Sequence, residues 1–98
     1  MVFDIVTKTI GSGDITGSKL SVTFGEYEKV AAAVANITTG HSGDVIYVDN
    51  ITISGNVVDV HILKGTVVTG LSGAKTELTI TSGNQISGAV ATVIANCI

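Results

Sequence analysis

Short runs in which apolar and polar residues alternate are the feature of this sequence that most limits its fold. The run KLSVTF at 19–24 places its Leu, Val and Phe on one face, and VDVHI at 58–62 and ELTI at 77–80 repeat the pattern. A period of two with one apolar face indicates a half-buried β-strand. The chain is therefore predicted to be built from strands.

Turn-forming residues separate these runs. The sequence has twelve glycines and no proline, so Gly, Ser and Asn mark the breaks. The run ITISGNVVDV at 51–60 predicts a β-hairpin, in which Gly55 and Asn56 supply the positive φ of a tight turn. We expect an all-β chain, with residues 1–98 forming a single-domain antiparallel sandwich or barrel of about seven or eight short strands.

Two segments leave alternatives open. Residues 26–36 are rich in Ala and other helix formers, so a short helix competes with a strand there. We favour the strand because the short runs on both sides need a sheet partner. Residues 89–98 are apolar on both faces, which predicts either a central strand or one buried by a neighbouring subunit.

The scarcity of charge predicts that much of the surface is covered. Charged residues make up 13% of the chain, against roughly 25% in an average soluble domain, while 45% are hydrophobic. Burial of surface in an oligomer or larger assembly explains this composition better than a free monomer coated with Thr and Ser does. A net charge of −3 with no arginine argues against nucleic-acid binding. No apolar run is long enough for a transmembrane helix, so we expect no membrane partner.

The ends of the chain predict its compartment. The start, MVFD, lacks the basic residues and apolar block of a secretory signal, so we expect synthesis in a cytoplasm. Cys97 is the only cysteine, which suits a reducing compartment. We interpret it as a small apolar residue at the end of a strand.

Residues with catalytic or metal-binding chemistry are few and scattered. His41 lies in a Gly/Ser loop, and His61 shares a strand face with Asp59 alone, which is too few ligands for zinc. No serine has the strained turn and histidine base of a nucleophile, and no Gly-rich segment matches a phosphate loop. We therefore expect neither an enzyme nor a bound metal or cofactor.

A carbohydrate-binding module is the alternative function. Sugar rings stack on exposed aromatic side chains, and aromatics are 4% of this chain. Phe3 and Phe24 sit at strand positions that look like core, which leaves the two tyrosines for stacking. The candidate sugar contacts are Tyr27, Tyr47, Asp49 and His41.

The middle and end of the chain resemble the small β-sandwich modules of phage virion proteins, some of them related in shape to the H-type lectins. The resemblance is carried by LSVTFG at 20–25, VAAAV at 30–34, DNITISGNVVDV at 49–60 and AVATVIA at 89–95. In that group the last strand often carries an aromatic such as Trp. Val93 and Ile94 stand there in this chain, so the resemblance favours a structural role over sugar binding.

The resemblance implies a non-enzymatic structural protein of a virus particle. It would be a bacteriophage head decoration (cement) protein or a tail-fibre module, made in the host cytoplasm and resident in the virion. It would act as a homotrimer or other homo-oligomer that packs against a major capsid or tail protein. The alternative is a lectin-like module of a tail fibre or another adhesion apparatus.

The two chain ends are the predicted contact surfaces. Residues 1–10 form an N-terminal strand that is exchanged with a neighbour or added to the edge of its sheet. The predicted interface residues are Val2, Phe3, Ile5, Val6, Val93, Ile94 and Ile98.

Overall fold

The computed structural model describes residues 2–39, 46–63, 86 and 88–98, and these residues form two antiparallel β-sheets packed face to face. The prediction of an all-β sandwich is confirmed. The strands are β1 (Val2–Thr9), β2 (Ile15–Thr16), β3 (Lys19–Thr23), β4 (Val30–Thr38), β5 (Val48–Ser54), β6 (Val57–Ile62) and β7 (Val90–Cys97).

The first and last strands of the chain are neighbours in one sheet. The three-stranded sheet has the order β1-β7-β4, and the four-stranded sheet has the order β2-β3-β6-β5. β7 is thus a central strand, which was one of the two alternatives predicted for residues 89–98. It pairs antiparallel with β1 from Val2↔Cys97 to Thr9↔Val90, and with β4 on its other side.

The core lies between the two sheets. Every second residue of β7 is buried, from Ala91 to Cys97, and so are Leu20 and Val22 of β3 and the alternating residues of β6. The faces predicted for 19–24 and 58–62 are therefore confirmed. The small residues on the inner face of β7, Ala91 among them, and the larger Leu and Val side chains of β3 and β6 belong to one buried cluster.

The predicted hairpin joins β5 to β6 through a two-residue turn. Ser54 pairs with Val57, and Gly55 between them has φ +59°, the left-handed conformation that glycine adopts without steric cost. The turn is tied to the rest of the sandwich, because its carbonyl oxygens accept hydrogen bonds from the backbone N–H groups of Phe24 and Val30, each at 2.8 Å.

The segment for which a helix and a strand competed is a strand. β4 pairs with β7 along its whole length, with one bulge between Val30 and Ala32, so the helix alternative for 26–36 is wrong. Pairing lets β4 bury Val30 and Ile37 against the core, and this burial outweighs the helix propensity of alanine. Residues 25–28 form the turn that precedes the strand.

Some sequence predictions lie outside the described residues. They are the strand at 77–80 and the loop that carries His41. Across the described residues, none of the secondary structure is a helix of the length and apolarity needed to span a membrane.

Candidate interaction surface

Among the residues that the structure describes, the outward side of the three-stranded sheet carries no ionisable side chain. Alternation along each strand points twelve residues away from the core, and the register sets them in four rows of three. We call this surface the neutral face. Its rows are Phe3-Asn96-Ala32, Ile5-Ile94-Val34, Thr7-Thr92-Asn36 and Thr9-Val90-Thr38.

Large apolar side chains are exposed to solvent on the neutral face. Phe3 is 76% exposed, Ile5 59%, Val34 63% and Ile94 38%. Ile5, Ile94 and Val34 form one row straight across the sheet, and Phe3 lies in the next row. Contiguous exposed apolar surface of this kind marks an interaction site more often than scattered single residues do.

Two shallow depressions lie on the neutral face, on either side of the Val34–Ile94 contact. One, of about 170 Å³, is bordered by Phe3, Ala32 and Asn96. The other, of about 290 Å³, is bordered by Asn36 and Thr92. Both are open to solvent. They are shallow depressions that can receive side chains of a partner, and neither is an enclosed ligand cavity.

The outward side of the four-stranded sheet has the opposite character, and we call it the polar face. Asp59 accepts a 2.6 Å hydrogen bond from Ser21 Oγ, and its other oxygen lies 3.7 Å from Lys19 Nζ. Thr52 Oγ1 and His61 Nε2 are 2.8 Å apart. Charged and hydrogen-bonded side chains of this kind are typical of the solvated face of an antiparallel sheet. The contrast indicates that the neutral face is the candidate interaction surface.

The polar face does not assemble a catalytic group. Ser21 donates its hydroxyl proton to Asp59, whereas His61 is bonded to Thr52, so the serine lacks the histidine base that a triad requires. Within the described ranges, no cluster of three or more His, Cys, Asp or Glu side chains could hold a metal ion.

The predicted interface residues divide between the surface and the core. Val2, Phe3, Ile5, Ile94 and Ile98 are exposed, and Val6 is partly buried against the core. Val93 requires a correction: its side chain is fully buried between the two sheets and is not available to a partner.

One of the two phenylalanines differs from its prediction as a core residue. Phe24 is 2% exposed and belongs to the core, as predicted, but Phe3 is the most exposed of the large apolar side chains described. Phe3 points outward because it pairs across β1 and β7 with Asn96, which lies on the outward side of the sheet.

The candidate sugar contacts do not converge among the described residues. Tyr27 lies beside the hairpin turn at the end of β5, where its carbonyl accepts a 3.2 Å hydrogen bond from Asn56 Nδ2. Tyr47 and Asp49 lie at the start of β5, and both are exposed. Since β5 separates the two tyrosines by its full length, one sugar ring cannot contact both.

The outer edge of β1 has features that discourage a further strand from pairing with it. Ile10 N–H donates to the carbonyl of Ala89, so by alternation the N–H groups of odd-numbered residues of β1 point away from β7. The N–H of Ile5, one of this set, is bonded at 2.9 Å to Asp4 Oδ1. On the same strand, Lys8 Nζ lies 3.6 Å from Asp14 Oδ1. Charged side chains on an edge strand discourage other strands from pairing with it.

Cys97 ends β7 inside the core, as the sequence predicted, and its thiol is free. Burial, with a smaller contribution from the charge of Asp4, raises the pKa of this thiol above its ordinary value of 9.0. The stability that follows from this shift is present below the unfolded pKa and is lost as the pH rises above it. We therefore expect the free energy of unfolding to fall more steeply between pH 8 and pH 10 in the wild type than in Cys97→Ala.

Urea unfolding at the two pH values checks this expectation. The pKa of Tyr27 is also raised, chiefly by burial and in part by the charge of Cys97 itself, so both proteins are compared in a Tyr27→Phe background that removes the tyrosine from the titration. Parallel pH profiles for the wild type and Cys97→Ala would show that the thiol makes no such contribution.

Comparison of the chain with protein-family models, with curated proteins and with solved structures gives no match. The sequence and the geometry above are therefore the basis for assigning a function.

Sequence reasoning missed one principal member of the neutral face, Val34. Its neighbours Ala32 and Asn36 gave no sign of an apolar surface, because an isolated valine among small residues fits either side of a strand. The signal lies in the pairing of β4 with β7, which sets Val34 beside Ile94.

Proposed function

We propose that this chain is a non-enzymatic structural protein that assembles with other proteins through its neutral face. The observation that carries the proposal is the contrast between the two outer sides of one sandwich. One is charged and hydrogen-bonded; the other lacks ionisable groups and exposes Phe3, Ile5, Val34 and Ile94. Burying apolar area stabilises a complex by about 25 cal/mol per Å², and the neutral face is where this chain has such area to bury.

The setting that we propose is a virus particle. The resemblance of residues 20–25, 30–34, 49–60 and 89–95 to phage virion modules supports it, as does the 13% charge content. In that setting the chain decorates or cements a phage capsid, or forms part of a tail fibre. Its partners are copies of itself and a major capsid or tail protein.

Packing by faces supports this proposal better than addition of strands does. The N-terminal strand was predicted to exchange with a neighbour or to extend a neighbour's sheet, yet in the single chain it pairs with β7 of the same chain. Its edge carries the Asp4 bond to Ile5 N–H, which occupies one of the groups that an added strand would use. The apolar side chains of β1 are displayed on its face instead.

Purification of particles from cultures of the cells that encode the chain tests the proposal. We expect the chain to sediment with the particles on a density gradient and to be detected there by mass spectrometry alongside the capsid protein. We expect Ile94→Lys to be lost from the particles and Thr23→Lys to be retained. Thr23 is a matched control because it is exposed on the polar face and receives the same added charge. A wild-type chain that stays in the soluble fraction would overturn the proposal.

A further inference from the structure

We propose that the neutral face is covered by the neutral face of a second copy of this chain, related to the first by a two-fold axis that runs along β7. This inference rests on the proposed function and names the partner of the same surface. The first argument is charge. Each chain carries a net charge of −3, so copies repel unless they meet through a surface that bears none of it. The neutral face is such a surface, since Asp4 and Lys8 of β1 point to its other side.

The rows of the neutral face are self-complementary about that axis. The rotation lays β1 of one copy over β4 of the other and keeps every row in place. Phe3 then faces Ala32 of the second copy, so that the largest side chain of the surface meets the smallest. Ile5 faces Val34 of the second copy, and Ile94 faces itself. An axis across the strands would instead set the apolar rows against the Thr-rich rows.

The position of one depression on the neutral face agrees with this arrangement. The depression of about 170 Å³ lies beside Ala32, where the axis along β7 brings Phe3 of the second copy. Aligned packing of this kind is how two sheets meet face to face in β-sandwiches, at a separation of about 10 Å.

A polar side chain beside the proposed axis gives a further reason. Asn96 lies on the outward side of β7 between Phe3 and Ala32, and the axis along β7 sets it opposite Asn96 of the second copy. A pair of asparagines at an otherwise apolar interface fixes the register, as one buried asparagine does in coiled coils.

The arrangement implies two copies, whereas the resemblance implied a trimer. A two-fold interface uses the same patch on both chains, but a three-fold interface needs two different patches that fit each other. The neutral face is one patch that fits itself. β1 and β7 have eight residues each and β4 has nine, so the three strands give a flat footprint of about 26 by 14 Å, which is smaller than a standard stable interface and typical of a weak or transient one. We therefore expect a dimer that dissociates at micromolar concentrations.

Sedimentation velocity across a concentration series tests the self-association. We expect the wild type and Thr23→Lys to shift from monomer to dimer between about 1 and 300 μM. We expect Ile94→Lys to stay monomeric throughout, with a circular dichroism spectrum and cooperative melting like those of the wild type. A wild type that is monomeric at the highest concentration, or a trimer, would overturn the inference.

Crosslinking tests the axis. In a Cys97→Ala background, chains carrying Ile5→Cys are mixed with chains carrying Val34→Cys and treated with a short bismaleimide, because sheets about 10 Å apart are beyond the reach of a disulfide. We expect the mixture to crosslink at least tenfold faster than either variant alone. Faster crosslinking within one variant would contradict the axis.

These results are separable from those on the particles. Suppose that the wild type is monomeric in solution, yet is bound to particles in a way that Ile94→Lys abolishes. The neutral face then binds another protein, and only the second copy is ruled out as its partner. A dimer in solution that is absent from particles would preserve the inference and overturn the proposed setting.

Discussion

Replacing Val93 with aspartate is expected to prevent the chain from folding, whereas the same change at Ile94 leaves the fold intact. Val93 is 0% exposed and lies between the sheets, while Ile94 points outward on the neutral face. Aspartate at position 93 forfeits about 1.5–3 kcal/mol of side-chain burial, and an uncompensated buried charge costs about 3–5 kcal/mol more. Domains of this size are stable by only about 5–15 kcal/mol.

At position 94 the carboxylate stays hydrated, so the cost is limited to the partial burial of a side chain that is 38% exposed and the difference in strand preference, together about 1–3 kcal/mol. Circular dichroism and the dispersion of amide signals in a proton NMR spectrum distinguish the two outcomes at low concentration. A cooperatively folded Val93→Asp would show that β7 does not bury the face assigned to it.

The second large effect is expected at the two phenylalanines. Phe24→Ala should reduce the free energy of unfolding by about 3–5 kcal/mol, because it removes a buried ring and leaves a cavity. Phe3→Ala should change it by less than about 0.5 kcal/mol in dilute solution, since its ring is already in water. The same substitution at two sites of one chain removes the same atoms, so the difference reports burial alone.

Urea unfolding curves at about 1 μM protein, below the expected association, measure both values. We expect Phe3→Ala to matter at higher concentration, where it should weaken the dimer. Equal losses from the two substitutions in dilute solution would contradict the outward position of Phe3.

Much of the fold could be predicted from the sequence because local periodicity carries it. The alternation of Leu20 and Val22, and that of Val58 and Val60, predicted both the strands and their buried sides, since polar residues occupy the opposite side. The hairpin was predictable from Gly55, because its turn needs a positive φ that few other residues adopt.

The inward and outward sides of β1 could not be predicted in the same way. Its less exposed side carries the charged Asp4 and Lys8 while its outward side carries Phe3 and Ile5, so alternation alone indicates the wrong side. In β7 the polar Thr92 and Asn96 do mark the outward side, but the sequence prediction treated both sides as apolar. Which side faces the core depends on which strands lie opposite. The neutral face therefore stayed hidden, because its three strands are far apart in the sequence and meet only through the pairing of β7 with β1 and β4.

The bond between Asp4 Oδ1 and Ile5 N–H has a consequence for the size of any assembly. A sheet edge that accepts one strand presents a new edge, and growth of that kind continues into a fibre. A sheet face is occupied by a single partner and leaves nothing for the next. If the neutral face pairs as proposed, a carboxylate that occupies one N–H group of this edge favours assemblies of fixed composition over filaments.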